Sequence, residues 1–297
     1  TNMTGALSLS ADHVKDAKYV INCDSESIHV ICVASAGSCH MEFTRDLHRC
    51  VPKGDTALTV RAHALAGGHS GEVINEGRGN AIKAVADVLY RLSEGGVEYA
   101  LADYKGGVAA NAIPSDASAV VVVAAKDVDR VKATVAAAEK DFNLVYGETD
   151  PNAVFEVTPA ALPESVLSVE DTTSIVDVIN LLHCGVFAMD RRLPRLPALS
   201  ASLGTIETRE DVLAFQYFPR SSSDARLQAL VRVMPIMAKC TGTKVHIEKP
   251  FPAWTESKNS KLQALMADAY KDVMGKEPRV EAMHGGLETG FLYAMNP

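Results

Sequence analysis

Cationic residues are in short supply in this chain of 297 residues: 29 Lys and Arg face 37 Asp and Glu, for a formal charge of −8. Nucleic acids and anionic membrane surfaces select basic faces, so neither is expected as a partner. No apolar run approaches the roughly 20 residues that span a bilayer. The opening TNMTGALSLS has neither a basic stretch nor a continuous hydrophobic segment and does not read as a signal peptide; its first residue is not methionine, which brings processing or truncation into the reading. Also missing are GxxxxGK[ST] and a GxGxxG following a strand, the usual cradles for phosphates and dinucleotides. CxxC pairs are absent too. The six cysteines (Cys23, Cys32, Cys39, Cys50, Cys184 and Cys240) are scattered, several in strand-like runs where a reduced thiol acts as a small hydrophobe, which suits a reducing, cytoplasmic compartment.

With 47% hydrophobic residues the chain can bury a sizeable core, and its length fits two ordinary domains better than one large one. Its most informative stretch is AGGHSGEVINEGRGNAIK, residues 66–83. Gly67, Gly68 and Gly71 free the backbone to approach a ligand, and Gly77 and Gly79 repeat the device. Asn80 reads as an N-cap, followed by Ile82, Val85, Leu89 and Leu92 at helical spacing. A histidine between glycines is, taken alone, more often a solvated turn residue than a catalytic one, so His69 depends on the rest of the chain for its meaning.

Residues 1–37 read as half of an α/β unit, with a strand at Tyr19–Cys23 that would put Asp24 and Glu26 at its C-terminal end, the edge where ligands gather in open α/β sheets. An ordinary Asp-Ser turn fits equally well. From Ser38 onward, strands predicted at 40–47 and 57–63, the helix after Asn80, strands near 97–101 and 117–125, and a helix capped by Asp127 give the order β-β-α-β-β-α, one sheet covered by helices on a single face. Residues 143–170 read as an irregular crossing segment, followed by a helix over about 172–182. Arg191, Arg192 and Arg195 read as a solvated loop. A strand pair at 200–207 and 211–218 leads to Arg220, suited to a bidentate grip on a carboxylate, and then to a helix through Leu227–Met237. The end returns to α/β character with a helix over 262–273, a strand near 279–282 and the ionisable cluster His284 to Glu288.

Taken together, INCDSE (21–26), AGGHSG (66–71), GRGNA (77–81), NAIP (111–114), RSSSD (220–224) and HGGLETG (284–290) resemble the aminoacyl-histidine dipeptidases, also called peptidase D or Xaa-His dipeptidases, of the co-catalytic zinc peptidase superfamily. The resemblance runs in register from Thr1 to about Tyr293. It implies an α/β/α zinc-peptidase catalytic domain, here residues 1–37 and 249–297, interrupted by an α+β lid that dimerises related enzymes, here residues 38–248. It also implies hydrolysis of dipeptides at two zinc ions and a homodimer. By the same resemblance Asp24 matches a zinc-binding carboxylate and His69 the lid histidine that stabilises the oxyanion. Asn111 and Arg220 match groups that orient the substrate and grip its C-terminal carboxylate; His284 and Glu288 fall on a pocket-side loop and are counted with the substrate-binding groups.

The departures concern the metal. Family members carry a His-x-Asp pair, a bridging Asp and a Glu-Glu pair upstream of the Asp24 match, and a ligand histidine in a Gly-Pro-His segment beyond the end of this sequence. Smaller departures are Gly204, where relatives often have Asn, and residues 27–30, where they are acidic. One carboxylate cannot hold a two-metal site, so the expectation is a truncated form that neither binds zinc tightly nor turns over dipeptides by itself. The competing expectation is a non-catalytic relative that dimerises or binds peptides.

Overall fold

The computed structural model describes residues 4–23, 28–191, 196–257 and 259–296. Its centre is a ten-stranded sheet with helices laid on one face. In chain order the main elements begin with β1 (Val30–Ser35), β2 (Met41–Asp46), β3 (Thr56–His63), α1 (Ala81–Glu94), β4 (Tyr99–Gly106), β5 (Ala117–Val123) and α2 (Val128–Tyr146). Next come β6 (Val154–Ala160), α3 (Val169–Leu181), β7 (Gly185–Met189), β8 (Pro197–Thr208) and β9 (Val212–Ser221). The chain finishes with α4 (Asp224–Val231), α5 (Met234–Cys240), β10 (Lys244–Ile247), α6 (Lys261–Met274), β11 (Arg279–Met283) and α7 (Thr289–Met295). The sheet runs β6-β3-β5-β4-β8-β9-β2-β10, with β7 pairing β8 and the short Gly37–Ser38 strand pairing β9.

Alternation decides which face the helices cover. Leu58, Val60 and Ala62 of β3 are buried beneath them, while Thr59, Arg61 and His63 between them are half-buried on the other face. Against this face α1 sets Ile82, Val85, Leu89 and Leu92, all with no exposure, and α2 sets Val131, Val135, Ala138 and Phe142. At roughly 1.5–3 kcal/mol per large apolar side chain, those stripes are the main reason the two helices stay on the sheet. Lys83 Nζ reaches from α1 to the carbonyls of Ile179 and Asn180, 2.8 Å each, neutralising the negative end of α3. At the start of α3 the fully buried Asp171 accepts from the His48 N–H at 2.6 Å and Arg45 Nε at 2.8 Å. Burial alone would raise its carboxyl, but these bonds with Ser168 hold it below the ordinary value.

A second, two-stranded sheet pairs β1 with β11 in parallel, Val30 opposite Arg279 and Ser35 opposite Met283. Backbone bonds between Ser35 and Trp254 and between Ser38 and Phe251 tie the two parts of the fold together.

Several local expectations are corrected. Residues 19–23 form no strand; the strand of that region is β1, where Val30, Ile31 and Val33 supply β-branched side chains. The supposedly irregular stretch after 143 contains β6, aligned antiparallel to β3 along its whole length; alternating polar residues and Pro159 had hidden an edge strand. Asp127 does not cap α2 with its side chain, which takes Arg130 Nη1 at 2.7 Å instead. The helix expected through 227–237 is broken in two, because Pro235, which lacks an N–H, is placed in the first turn of α5.

Asn80 does cap α1: its Oδ1 accepts the Lys83 N–H at 3.2 Å, and its Nδ2 donates to the Leu203 carbonyl at 2.9 Å and Ser202 Oγ at 3.3 Å. The residue therefore fixes the helix to β8 as well as starting it. Asn80→Ala is expected to lose about 1–2 kcal/mol of stability, read as a lower denaturant midpoint with an unchanged slope. A midpoint equal to wild type would show that the bonds to β8 contribute nothing.

Candidate active site

The glycine loop between β3 and α1 is built to hold one shape. Gly67 and Gly68 adopt φ of 60° and 120°, conformations that side chains resist. Gly68 and His69 then pair with Ile113 and Ala112, and the Ser70 N–H donates to the Asn111 carbonyl at 2.9 Å. Both ends of the loop are fastened to Asp150, which is 1% exposed: Oδ1 accepts from the Ala66 N–H and Oδ2 from the Gly79 N–H, each at 2.8 Å. Thr149 Oγ1 donates to Oδ2 at 3.0 Å. Sequence reasoning missed Asp150 because it stands in a run of polar residues indistinguishable from a turn.

Gly71 marks the point where distant segments meet. A Cβ there would lie 3.0 Å from His69 Cε1, 3.0 Å from Gly285 Cα and 3.3 Å from Arg220 Cζ. The loop thus brings His69, the end of β9 and the turn after β11 into one place, which requires a residue without a side chain.

Arg220 is 4% exposed. Its Nε donates to Ser70 Oγ at 3.3 Å and its guanidinium lies over the Phe218 ring at 4.7 Å, yet no carboxylate among the described residues pairs with it. Across the strands Ser200 stands in register with Arg220, and Ser200 Oγ lies 2.7 Å from His284 Nε2, with His284 5% exposed. The Nδ1 atoms of His69 and His284 are both buried without a hydrogen-bond partner among the described residues, although Glu72 Oε1 comes within 3.6 Å of the former.

These contacts set the charge state. Burial pushes Arg220 down to about 10, opposed only by Glu72. Burial, then the adjacent guanidinium, pushes His284 down to about 3 against a smaller upward pull from the Pro197 carbonyl, so its ring is neutral at any physiological pH. His69 is lowered for the same two reasons, again with Glu72 opposing. Two neutral imidazoles beside one cation that no carboxylate among the described residues pairs make surroundings that favour an anion.

The other expected residues are placed differently. Asn111 is exposed, and its carbonyl secures the loop through Ser70. Glu288 leads into α7 and accepts from Asn22 Nδ2 at 3.4 Å. Asp24 and Glu26 lie outside the described residues, as do Arg192 and Arg195. Ser70, Ser200 and Phe218 were not foreseen: serines inside strands and motifs carry no signal until their partners are known. A cavity of 660 Å³ lies elsewhere, over the seam where β4 meets β8, between Glu42, Asp116 and Glu207 on one hand and Lys105 and Arg209 on the other. Its three acids against two bases give no preference for an anion, and His69, Arg220 and His284 do not line it.

At that seam Gly204 has a structural reason. A Cβ on it would lie 2.3 Å from the Ala110 carbonyl oxygen, so an asparagine here would displace the 107–111 loop.

Residues 62–150 match the family described as the peptidase dimerisation domain. The cytosol non-specific dipeptidase of Escherichia coli (strain K12) is 28% identical over 293 residues, 98% of this chain and 60% of that protein. The crystal structure of aminoacylhistidine dipeptidase from Vibrio alginolyticus superposes with a TM-score of 0.89 at 25% identity, covering 99% of this chain and 60% of that one. The chain therefore spans about three-fifths of the length of these relatives. In sequence along nearly its whole length and in fold, the chain is similar to peptidase D-type dipeptidases, and residues 62–150 match the dimerisation domain found in peptidases.

Proposed function

We propose that the complete protein is a dipeptidase acting on Xaa-His dipeptides, and that this chain contributes the groups that grip the substrate's C-terminal carboxylate and stabilise the oxyanion. Arg220 carries the proposal: a buried guanidinium without a carboxylate partner among the described residues, flanked by two neutral imidazoles, is costly unless a ligand supplies the anion. A free carboxylate fits its fork. In this reading Arg220 and His284 hold the carboxylate, Asn111 and Glu288 orient the remainder, and His69 donates to the carbonyl oxygen as it gains charge.

Zinc is proposed for the complete enzyme, two ions by resemblance to its relatives, where they would activate water and polarise the scissile carbonyl. Among the described residues no group of three or more His, Cys, Asp or Glu is placed to hold a metal, so the described donor set does not fit zinc, and no step is routed through it here. Asp24 is the one position proposed as a ligand, and with it alone the chain is expected to bind zinc weakly and to be inactive by itself. Residues 1–37 and 249–297 are proposed as parts of the catalytic domain and 38–248 as the lid, with a homodimer formed through the lid in the cytoplasm. No described helix is long and apolar enough to cross a membrane.

Calorimetric titration of this chain with an Xaa-His dipeptide and with its C-terminal amide tests the reading. The free acid is expected to bind about tenfold or more tightly than the amide, the worth of one charge-assisted interaction. Equal affinities would remove the carboxylate role from Arg220. The non-catalytic alternative shares this binding, and differs in that the complete, zinc-supplied protein would show no dipeptide hydrolysis.

A further inference from the structure

Ser200 is absent from every motif that connects this chain to dipeptidases, yet its hydroxyl lies 2.7 Å from His284 Nε2 in a place where both residues are sealed from solvent, 1% and 5% exposed. The pair has two possible arrangements. If Nε2 carried the hydrogen and donated to Ser200 Oγ, then among the described residues the serine hydrogen would have no acceptor, since Oγ makes no other hydrogen bond there, and Nδ1 would be a bare, buried acceptor without a donor. If the serine hydroxyl donates to Nε2, a single group is left over among the described residues, the Nδ1–H, since the Pro197 carbonyl that pulls the ring's protonation upward makes no hydrogen bond to Nδ1. Each unmet buried polar group is costly, so the second arrangement wins by one group.

The register adds direction. Ser200 stands opposite Arg220 on β8 and β9, so the imidazole that it holds is set beside the guanidinium. An Nδ1–H left over there is a second donor next to Arg220. A bare Nδ1 would instead offer a lone pair that repels an anion held at Arg220. We infer that Ser200 is a positioning residue that fixes the Nδ1–H tautomer of His284, so that His284 and Arg220 present donors together to a substrate carboxylate. The second half of this inference rests on the carboxylate reading of the site; the tautomer does not.

The two parts are tested separately. Spectra of this chain labelled with ¹⁵N-histidine, with the His284 signals assigned by their disappearance in His284→Gln, report which ring nitrogen carries hydrogen. The Nδ1–H form alone is expected, and Ser200→Ala should convert it to a mixture or to the Nε2–H form. An Nε2–H ring in the wild-type chain overturns the inference, whatever Arg220 does. In the complete enzyme, Ser200→Ala should raise KM for Xaa-His dipeptides about five- to tenfold, the range of one hydrogen bond, with kcat within about twofold, and Ser200→Thr should restore most of the loss. An unchanged KM alongside the expected spectra would overturn the role toward substrate while leaving the tautomer assignment standing. Loss of the carboxylate reading itself would be recognised by acid and amide binding equally to the wild-type chain.

Discussion

Replacing His69 with alanine in the complete enzyme is expected to lower kcat by about 10²–10³-fold while moving KM little, the signature of a donor that matters chiefly in the transition state. The geometry supports a donor of this kind. The ring is carried on a loop whose ends are both tied to Asp150, so it can be aimed without rearrangement. It is half-buried, and burial together with Arg220 keeps it neutral, so it can offer an N–H without bringing a permanent charge that would bind the ground state equally well. Steady-state kinetics with an Xaa-His dipeptide decide the matter. A raised KM with normal kcat would make His69 a binding residue, and no change in either would remove it from the chemistry.

Arg220→Met in the same enzyme is expected to raise KM by roughly 30-fold or more, since truncating one partner of a buried, hydrogen-bonded charge pair costs about 2–5 kcal/mol. Methionine keeps much of the side-chain stem against Phe218 and removes the charge. The unusual part of the expectation concerns stability. Without substrate the guanidinium has no carboxylate partner among the described residues and repels any proton added to His69 or His284, so its removal should leave the melting temperature unchanged or higher. The His284 ring should also become easier to protonate. A large fall in melting temperature with KM unaltered would mean that Arg220 is structural.

Long periodic patterns made much of the fold legible in the sequence. The stripe Ile82, Val85, Leu89, Leu92, the alternation of Leu58, Val60, Ala62 and the apolar run of β5 each carry their own period, and each became the element its period demanded. Failures came where a partner, distant or near, decided the outcome and a period did not. β6 is strand-like only because β3 offers an edge, and Asp127 is no cap because Arg130 competes for it. The site divides in the same manner. His69 and Arg220 stood out through glycine flanks and chain position, and the structure brings them together at Gly71. Asp150, Ser70 and Ser200 could not be found, because a buried acid or hydroxyl is defined by the donors and acceptors it meets, and these lie 71 to 150 residues away.

Tying Ala66 and Gly79 to the two oxygens of one carboxylate closes the intervening chain into a ring joined at a single atom group. A loop anchored at two unrelated points could open one end at a time; here, any motion of Asp150 loosens both ends together. The conformational entropy of the loop has already been given up before a ligand arrives, so little is left to lose on binding. A ring of this type should therefore open rarely and all at once, and its amides should exchange with solvent as one cooperative unit rather than fraying gradually from the tip.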